Sequence, residues 1–298
     1  MYAPEQPDGP ERIPRESAQA AAPSPGSPIG VFDSGVGGLT VLKELKATLP
    51  NESFVYLGDT ARLPYGPKPA EMVRGFATEI SATLLERGVK AVVVACNTAS
   101  AAALPELADA LPVPTWGVVE PGVAAALHAA PGGRIGVLGT VGTVRSRVYQ
   151  SKLERAGATT WAQACPLFVP IVEEGVSDTA IARLVADHYL KDRPALDAVI
   201  LGCTHYPALK SVLADILGPH VTLVDSAVSV ASVVRRDLAR LELLAAGSGP
   251  GNVHYIVTGD IPTFMHVGQL LGGPKGTYEH LSVGELAAKR PFGVEARH

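Results

Sequence analysis

Cysteine is scarce in this chain, with three among 298 residues. An odd number with no C-x-x-C pair excludes a disulfide framework and suits a reducing, cytoplasmic compartment. No uninterrupted apolar run approaches the ~18 residues of a membrane span. Positive charge is not in excess: the formal net charge is −4, which removes the electrostatic case for nucleic acid or an anionic membrane as a partner. Met1 to Pro28 holds no apolar stretch of the kind a secretory signal needs. Rich in proline and alanine with scattered charges, residues 1–28 are expected to form a disordered tail. Residues 289–298 are expected to be similarly loose. Nucleotide signatures fail too, because Asp33-Ser34-Gly35-Val36-Gly37-Gly38 lacks the G-x-G-x-x-G spacing and no Walker lysine follows it.

What the chain does have is a 47% hydrophobic composition, enough for a substantial core in one or two domains. Apolar strands are expected at Ile29–Phe32, Ser53–Gly58, Ala91–Ala95, Thr115–Val119, Arg134–Leu138, Ala198–Leu201, Val221–Val224 and His254–Thr258. Helical patterns fall between them, at Thr40–Lys46, Pro69–Arg87, Ala99–Ala110, Ser146–Arg155, Asp178–Leu190 and Ala227–Ala246. This alternation predicts an α/β fold of mostly parallel sheets flanked by helices.

Two of the cysteines sit in twin settings. Ala91-Val92-Val93-Val94-Ala95-Cys96-Asn97-Thr98 and Ala198-Val199-Ile200-Leu201-Gly202-Cys203-Thr204-His205 each read as a buried strand with a thiol at its carboxyl end, where open α/β sheets place ligands. The duplication extends further. Ile29-Gly30-Val31-Phe32 and Ile135-Gly136-Val137-Leu138 each lead into a Gly-rich loop, and the spacing from first Ile to Cys is 67 positions in one half and 68 in the other. An apolar strand ending in an acid follows each cysteine, Val118-Val119-Glu120 and Leu223-Val224-Asp225. Landmarks in near-register argue for an internal repeat, hence two pseudo-symmetric lobes with a cleft between them. The expected division is 29–120 plus 226–288 for the lobe carrying Cys96, with the strand near His254 returning to complete it, and 121–225 for the lobe carrying Cys203.

Both cysteines are expected to open onto a helix start, where the helix dipole pulls a thiol below its usual pKa of ~8.5. Cys165, in Ala164-Cys165-Pro166, has no twin and reads as structural. Three chemistries use such residues. A zinc site would draw on Cys96, Cys203 and His205, but no C-x-x-C or H-x-x-x-H spacing supports it. A Cys–His hydrolase would leave the second thiol idle. Proton transfer on both faces of a carbon acid needs two such groups, one as thiolate and one as thiol, and the duplicated architecture favours it.

The segments VFDSGVGGLTVL, GDTARLPYG, ACNTASA, GVVEP, CPLFVPIVEEG and LGCTHYP, in that order from Ile29 to about Leu286, resemble the cofactor-independent glutamate racemases. The resemblance implies two α/β lobes around a closed cleft and interconversion of L- and D-glutamate with neither a cofactor nor a metal. It also implies supply of D-glutamate for peptidoglycan in a bacterial cytoplasm. Carried over by position, Cys96 and Cys203 become the acid/base pair, the first acting on the D-enantiomer and the second on the L-enantiomer. Asp33 and His205 lie beside them and assist proton movement. Asp33, Ser34, Tyr65, Gly66, Asn97, Thr98, Thr204 and His205 bind the amino acid, and Glu174 is a candidate helper near Cys203. The His of the Cys203-Thr204-His205 box favours glutamate over aspartate, whose racemases place an acidic residue there.

Stabilising the dianion left by deprotonating an amino acid requires preorganised donors and exclusion of water. Arg and Lys are scarce in these loops, with Arg62 the nearest, so neutral donors are expected to hold the substrate. The alternatives are racemisation of aspartate or another acid on the same fold, and an added regulatory binding role for the tail, DNA gyrase being one partner known among relatives with such extensions. A homodimer is a candidate assembly that periodicity does not decide.

Overall fold

The computed structural model describes residues 23–247 and 249–289. Most of the expected tail, residues 1–22, and the segment 290–298 lie outside them. Residues 23–28 depart from the expected disorder: Ser27 N–H donates to Ser24 O at 3.0 Å, and Lys90 Nζ donates to Pro25 O at 2.6 Å. Lys90 is fully buried and also pairs with the buried Glu52 carboxylate at 2.6 Å. A buried ammonium needs such partners, and the carbonyl of Pro25 is one of them.

The chain runs β1 (Ile29–Asp33), α1 (Leu39–Thr48), β2 (Phe54–Gly58), α2 (Ala70–Glu86), β3 (Ala91–Val94), α3 (Asn97–Ala110), β4 (Thr115–Gly117) and α4 (Val119–Ala129). It continues through β5 (Arg134–Gly139), α5 (Val141–Ser146), α6 (Val148–Arg155), β6 (Thr159–Ala164), α7 (Phe168–Glu173), α8 (Ala180–Leu190), β7 (Ala198–Gly202), α9 (Lys210–Leu217) and β8 (Thr222–Asp225). Last come α10 (Ser226–Arg240), β9 (Val253–Val257), α11 (Ile261–Leu270), β10 (Thr277–His280) and α12 (Val283–Ala287).

These strands form two parallel sheets, ordered β10-β9-β2-β1-β3-β4 and β6-β5-β7-β8. Within the first, β2-β1-β3-β4 has the same order as β6-β5-β7-β8, so the repeat is visible as topology. Ile29 pairs with Ala91 in β1–β3 as Ile135 pairs with Ala198 in β5–β7. Strands β9 and β10 are the addition, joined to the edge of β2. β1, β2, β3 and β7 are buried along their whole length. That is why they are almost wholly apolar runs, each large aliphatic or aromatic side chain contributing about 1.5–3 kcal/mol by leaving water. The two lobes are not separate cores, since one apolar cluster joins Val31, Leu42 and Leu45 to Val230, Val234, Leu201 and Leu213. Helix α10 packs on α1 of one lobe and α4 of the other.

One expected strand shortens and two strands are added. Val118-Val119-Glu120 is not a strand: β4 stops at Gly117, and Glu120 stands in the first turn of α4, where a carboxylate suits the positive end of the helix. The residue that matches Asp225 is Gly117, paired to β3 at Val94 as Asp225 is to β7 at Leu201. Strands β6 and β10 lie at sheet edges, where half-exposed polar residues replace the apolar run that marks a central strand. No helix among the described residues is long and apolar enough to cross a membrane.

Candidate active site

Both cysteines leave the carboxyl ends of equivalent strands and line one cavity of about 210 Å³ between the sheets. Cys96 is the N-cap of α3, and its sulfur accepts from Ala99 N–H at 3.4 Å and donates to Ser34 Oγ at 3.8 Å. The helix end does not win here. Burial, followed by the neighbouring Asp33 charge, pushes the Cys96 thiol up to about 12, outweighing its hydrogen bonds with Ala99 and Ser34. Asp33 itself is completely buried at the end of β1, behind the cavity wall. Its Oδ2 accepts from Gly35 N–H at 2.9 Å and its Oδ1 from Thr204 Oγ1 at 3.5 Å, while burial raises its carboxyl against the opposing charge of His205.

Cys203 has a different escort. It precedes a four-residue 3-10 turn, Tyr206–Leu209, and not an α-helix. Its Sγ lies 3.9 Å from Nδ1 of His205, whose Nε2 lies 3.0 Å from Glu173 Oε1. Burial works to lower the imidazole, but the hydrogen bonds and charges of Cys203 and Glu173 overcome it and push His205 up to about 10. Glu174, the expected helper, is the exposed residue capping α7. The carboxylate that reaches the site is its neighbour Glu173. The helix face explains the exchange: Val169, Pro170 and Glu173 of α7 line the cavity at helical spacing, and Glu174 falls off that face.

The remaining expected residues meet at the same cavity. Ser34, Tyr65, Gly66, Asn97, Thr98 and Thr204 line it with His205. Asp33 alone of the proposed binding residues does not. The two lobes touch on either side of the cavity. On one side, Gly142 N–H donates to Gly66 O at 2.7 Å and the Thr98 hydroxyl lies 2.8 Å from that of Thr140. On the other, Thr40 Oγ1 donates to Thr204 O at 2.9 Å. Glycine is required at this contact because a Cβ on Gly37 would fall 2.3 Å from Thr204 Oγ1 and 2.4 Å from His205 Cε1.

Among the described residues no Lys or Arg lines the cavity, whose charged groups are Glu173 and His205. Arg62, the nearest candidate, is committed elsewhere, to Asp59 at 2.7 Å, to Glu79, and to the face of Phe76 at 4.0 Å. Tyr65 likewise turns its hydroxyl to Asp59. Among the described residues no cluster of three or more His, Cys, Asp or Glu is arranged to hold a metal ion. Cys165 is buried beside Pro166, consistent with a packing role.

Thr140 and Glu173 are cavity residues that sequence reasoning missed. The repeat held the signal for Thr140, since Gly139-Thr140-Val141-Gly142 occupies in the second lobe the place of Asp33-Ser34-Gly35-Val36 in the first.

The family model described as Asp/Glu/Hydantoin racemase matches residues 29–233. The glutamate racemase of Thermus thermophilus is 53% identical over 264 residues, 88% of this chain and 99% of the relative. Its crystal structure in complex with beta-chloro-D-alanine superposes with a TM-score of 0.82 at 51% identity, covering 88% of this chain and 99% of that one. The glutamate racemase of Francisella tularensis, solved with D-glutamate, gives a TM-score of 0.80 at 34% identity, covering 87% and 98%. The chain belongs to the Asp/Glu/Hydantoin racemase family and is an isomerase, a racemase by membership.

Proposed function

We propose that this chain interconverts L- and D-glutamate by two-base proton transfer between Cys203 and Cys96. The observation that carries the proposal is the meeting of two thiols, from equivalent strand ends of two repeats, in one cavity with unlike partners. For the L-enantiomer, Cys203 as thiolate takes the Cα proton and becomes a thiol. Cys96 then gives its S–H proton to the opposite face and becomes the thiolate. The D-enantiomer runs the same steps in reverse. His205, as an imidazolium beside Cys203, compensates negative charge on that sulfur, and Glu173 holds the imidazole in place as a positioning residue. Ser34 serves the same end at Cys96 by hydrogen bonding, with the buried Asp33 behind it.

The dianionic intermediate is stabilised by neutral donors that line the cavity: the hydroxyls of Thr98 and Thr204 and the loop N–H groups around them. Glutamate as the substrate is supported by the relatives named above and by His205 in the position that distinguishes glutamate from aspartate racemases. The product would supply peptidoglycan synthesis in a bacterial cytoplasm.

The test is racemisation of L- and D-glutamate and of aspartate in deuterated water, with Cys96→Ala and Cys203→Ala beside the wild type. Wild type is expected to racemise glutamate and place deuterium at Cα, and both variants to lose racemisation. Near-normal activity in either variant refutes the two-base mechanism. Absence of deuterium at Cα refutes racemisation, and a preference for aspartate refutes the substrate.

A further inference from the structure

Tyr149 is a residue that the mechanism above leaves unused. It lies in α6 of the Cys203 lobe, is completely buried, and its hydroxyl donates to Asn97 Oδ1 of the other lobe at 2.6 Å. Asn97 is the residue after Cys96, is 4% exposed and lines the substrate cavity. The ring edge beside that hydroxyl faces Gly202, the residue before Cys203, where an added Cβ would stand 3.6 Å from Cε2. The phenol end of one side chain therefore sits by the neighbours of both cysteines.

The direction of the hydrogen bond has a chemical consequence. Burial raises the phenol well above its usual range, so its oxygen stays protonated and acts as a donor. A phenol donor takes the carbonyl end of a primary amide. The amide nitrogen of Asn97, which has no partner among the described residues, is left for the cavity. Without the phenol the amide is free to turn over and present its oxygen, which repels a carboxylate. We infer that Tyr149 is a positioning residue that locks Asn97 with its NH2 group toward the substrate, making it a carboxylate donor. This rests on the proposed function in that the ligand is an amino acid with carboxylate groups.

A double-mutant cycle tests the inference. L-Glutamate affinity is measured by calorimetry, and KM and kcat by racemisation, for wild type, Tyr149→Phe, Asn97→Ala and the double variant. The Phe variant keeps the ring against Gly202, and near-ultraviolet circular dichroism confirms its packing. A hydrogen bond to a charged group is worth roughly ten- to a hundredfold in affinity. Tyr149→Phe is expected to weaken binding and raise KM about tenfold with kcat changed much less, since the bond is made in ground state and transition state alike. With Asn97 removed the phenol has nothing left to orient, so the double variant should bind no worse than Asn97→Ala alone. Losses that multiply in the double variant, or an unchanged KM in Tyr149→Phe, overturn the inference. A wild type that binds glutamate but does not racemise it refutes the proposed function while the affinity cycle still decides the role of Tyr149. A wild type that does not bind glutamate refutes both.

Discussion

Replacing Glu173 by Gln is the substitution that separates the observed site from the one expected from sequence. Gln keeps an oxygen to face His205 Nε2 across the 3.0 Å contact but removes the negative charge. An opposite charge at this distance ordinarily raises an imidazole by roughly one to three pH units. Glu173 is 30% exposed, so solvent screens part of its charge and the low end applies. His205 stands at about 10 in the intact site. The alkaline limb of kcat/KM should therefore move down by about one pH unit, the equivalent of ~1.4 kcal/mol. The variant is expected to match wild type closely near neutrality and to fall toward about tenfold below it on the alkaline side, where the imidazolium has been lost. Circular dichroism at a wavelength where the enantiomers differ follows the reaction across the pH range. The substrate ammonium titrates there too, so the readout is the ratio of variant to wild type, in which its effect cancels. The limb belongs to the Cys203–His205–Glu173 group as a whole rather than to one residue. Glu174→Gln is the matched control and should leave the profile unchanged. A ratio that stays flat with pH for Glu173→Gln, or an equal shift for Glu174→Gln, would refute the assignment.

Gly37→Ala should lower the melting temperature and abolish racemisation together, because its Cβ lands 2.3 Å from Thr204 Oγ1 and forces the Cys203 loop away from α1. Overpacking of this kind costs about 1–3 kcal/mol, and a variant with wild-type melting and turnover would show that the loop contact is dispensable. His205 links stability to pH with a definite sign. Its folded-state value of about 10 lies above the ordinary 6.5, so its contribution is fully present below 6.5 and disappears as pH rises through about 10. The melting-temperature difference between wild type and His205→Gln, by scanning calorimetry, should be greatest in acid and shrink across that window, and a difference that grows with pH would contradict it.

Much of the site was legible because it lies at strand ends. Cys96 and Cys203 follow apolar runs whose burial is complete, and the carboxyl end of a buried parallel strand is where a loop meets the cleft. Glu173 was not legible as the helper because the choice between two adjacent carboxylates depends on where a short helix starts, and α7 is only six residues long. The thiol of Cys96 was misjudged for a related reason. A helix N-cap is visible in sequence, whereas the burial and the Asp33 carboxylate that outweigh it are contributed by other segments of the chain. Tyr149 carries no local signal at all, since its partner Asn97 is 52 positions away.

By itself the sequence determined the repeat, the parallel α/β character, the pair of cysteines and the shortage of cationic residues around them. These follow from local composition and spacing, because hydrophobic periodicity decides which segments become buried strands. Only the tertiary structure decided which carboxylate serves His205, that Asp33 stands behind the cavity, and that the two lobes share a core and meet through Gly37, Gly66 and Tyr149. Those outcomes depend on distances and burial between residues far apart in the chain, and such quantities are set only when the two sheets pack together.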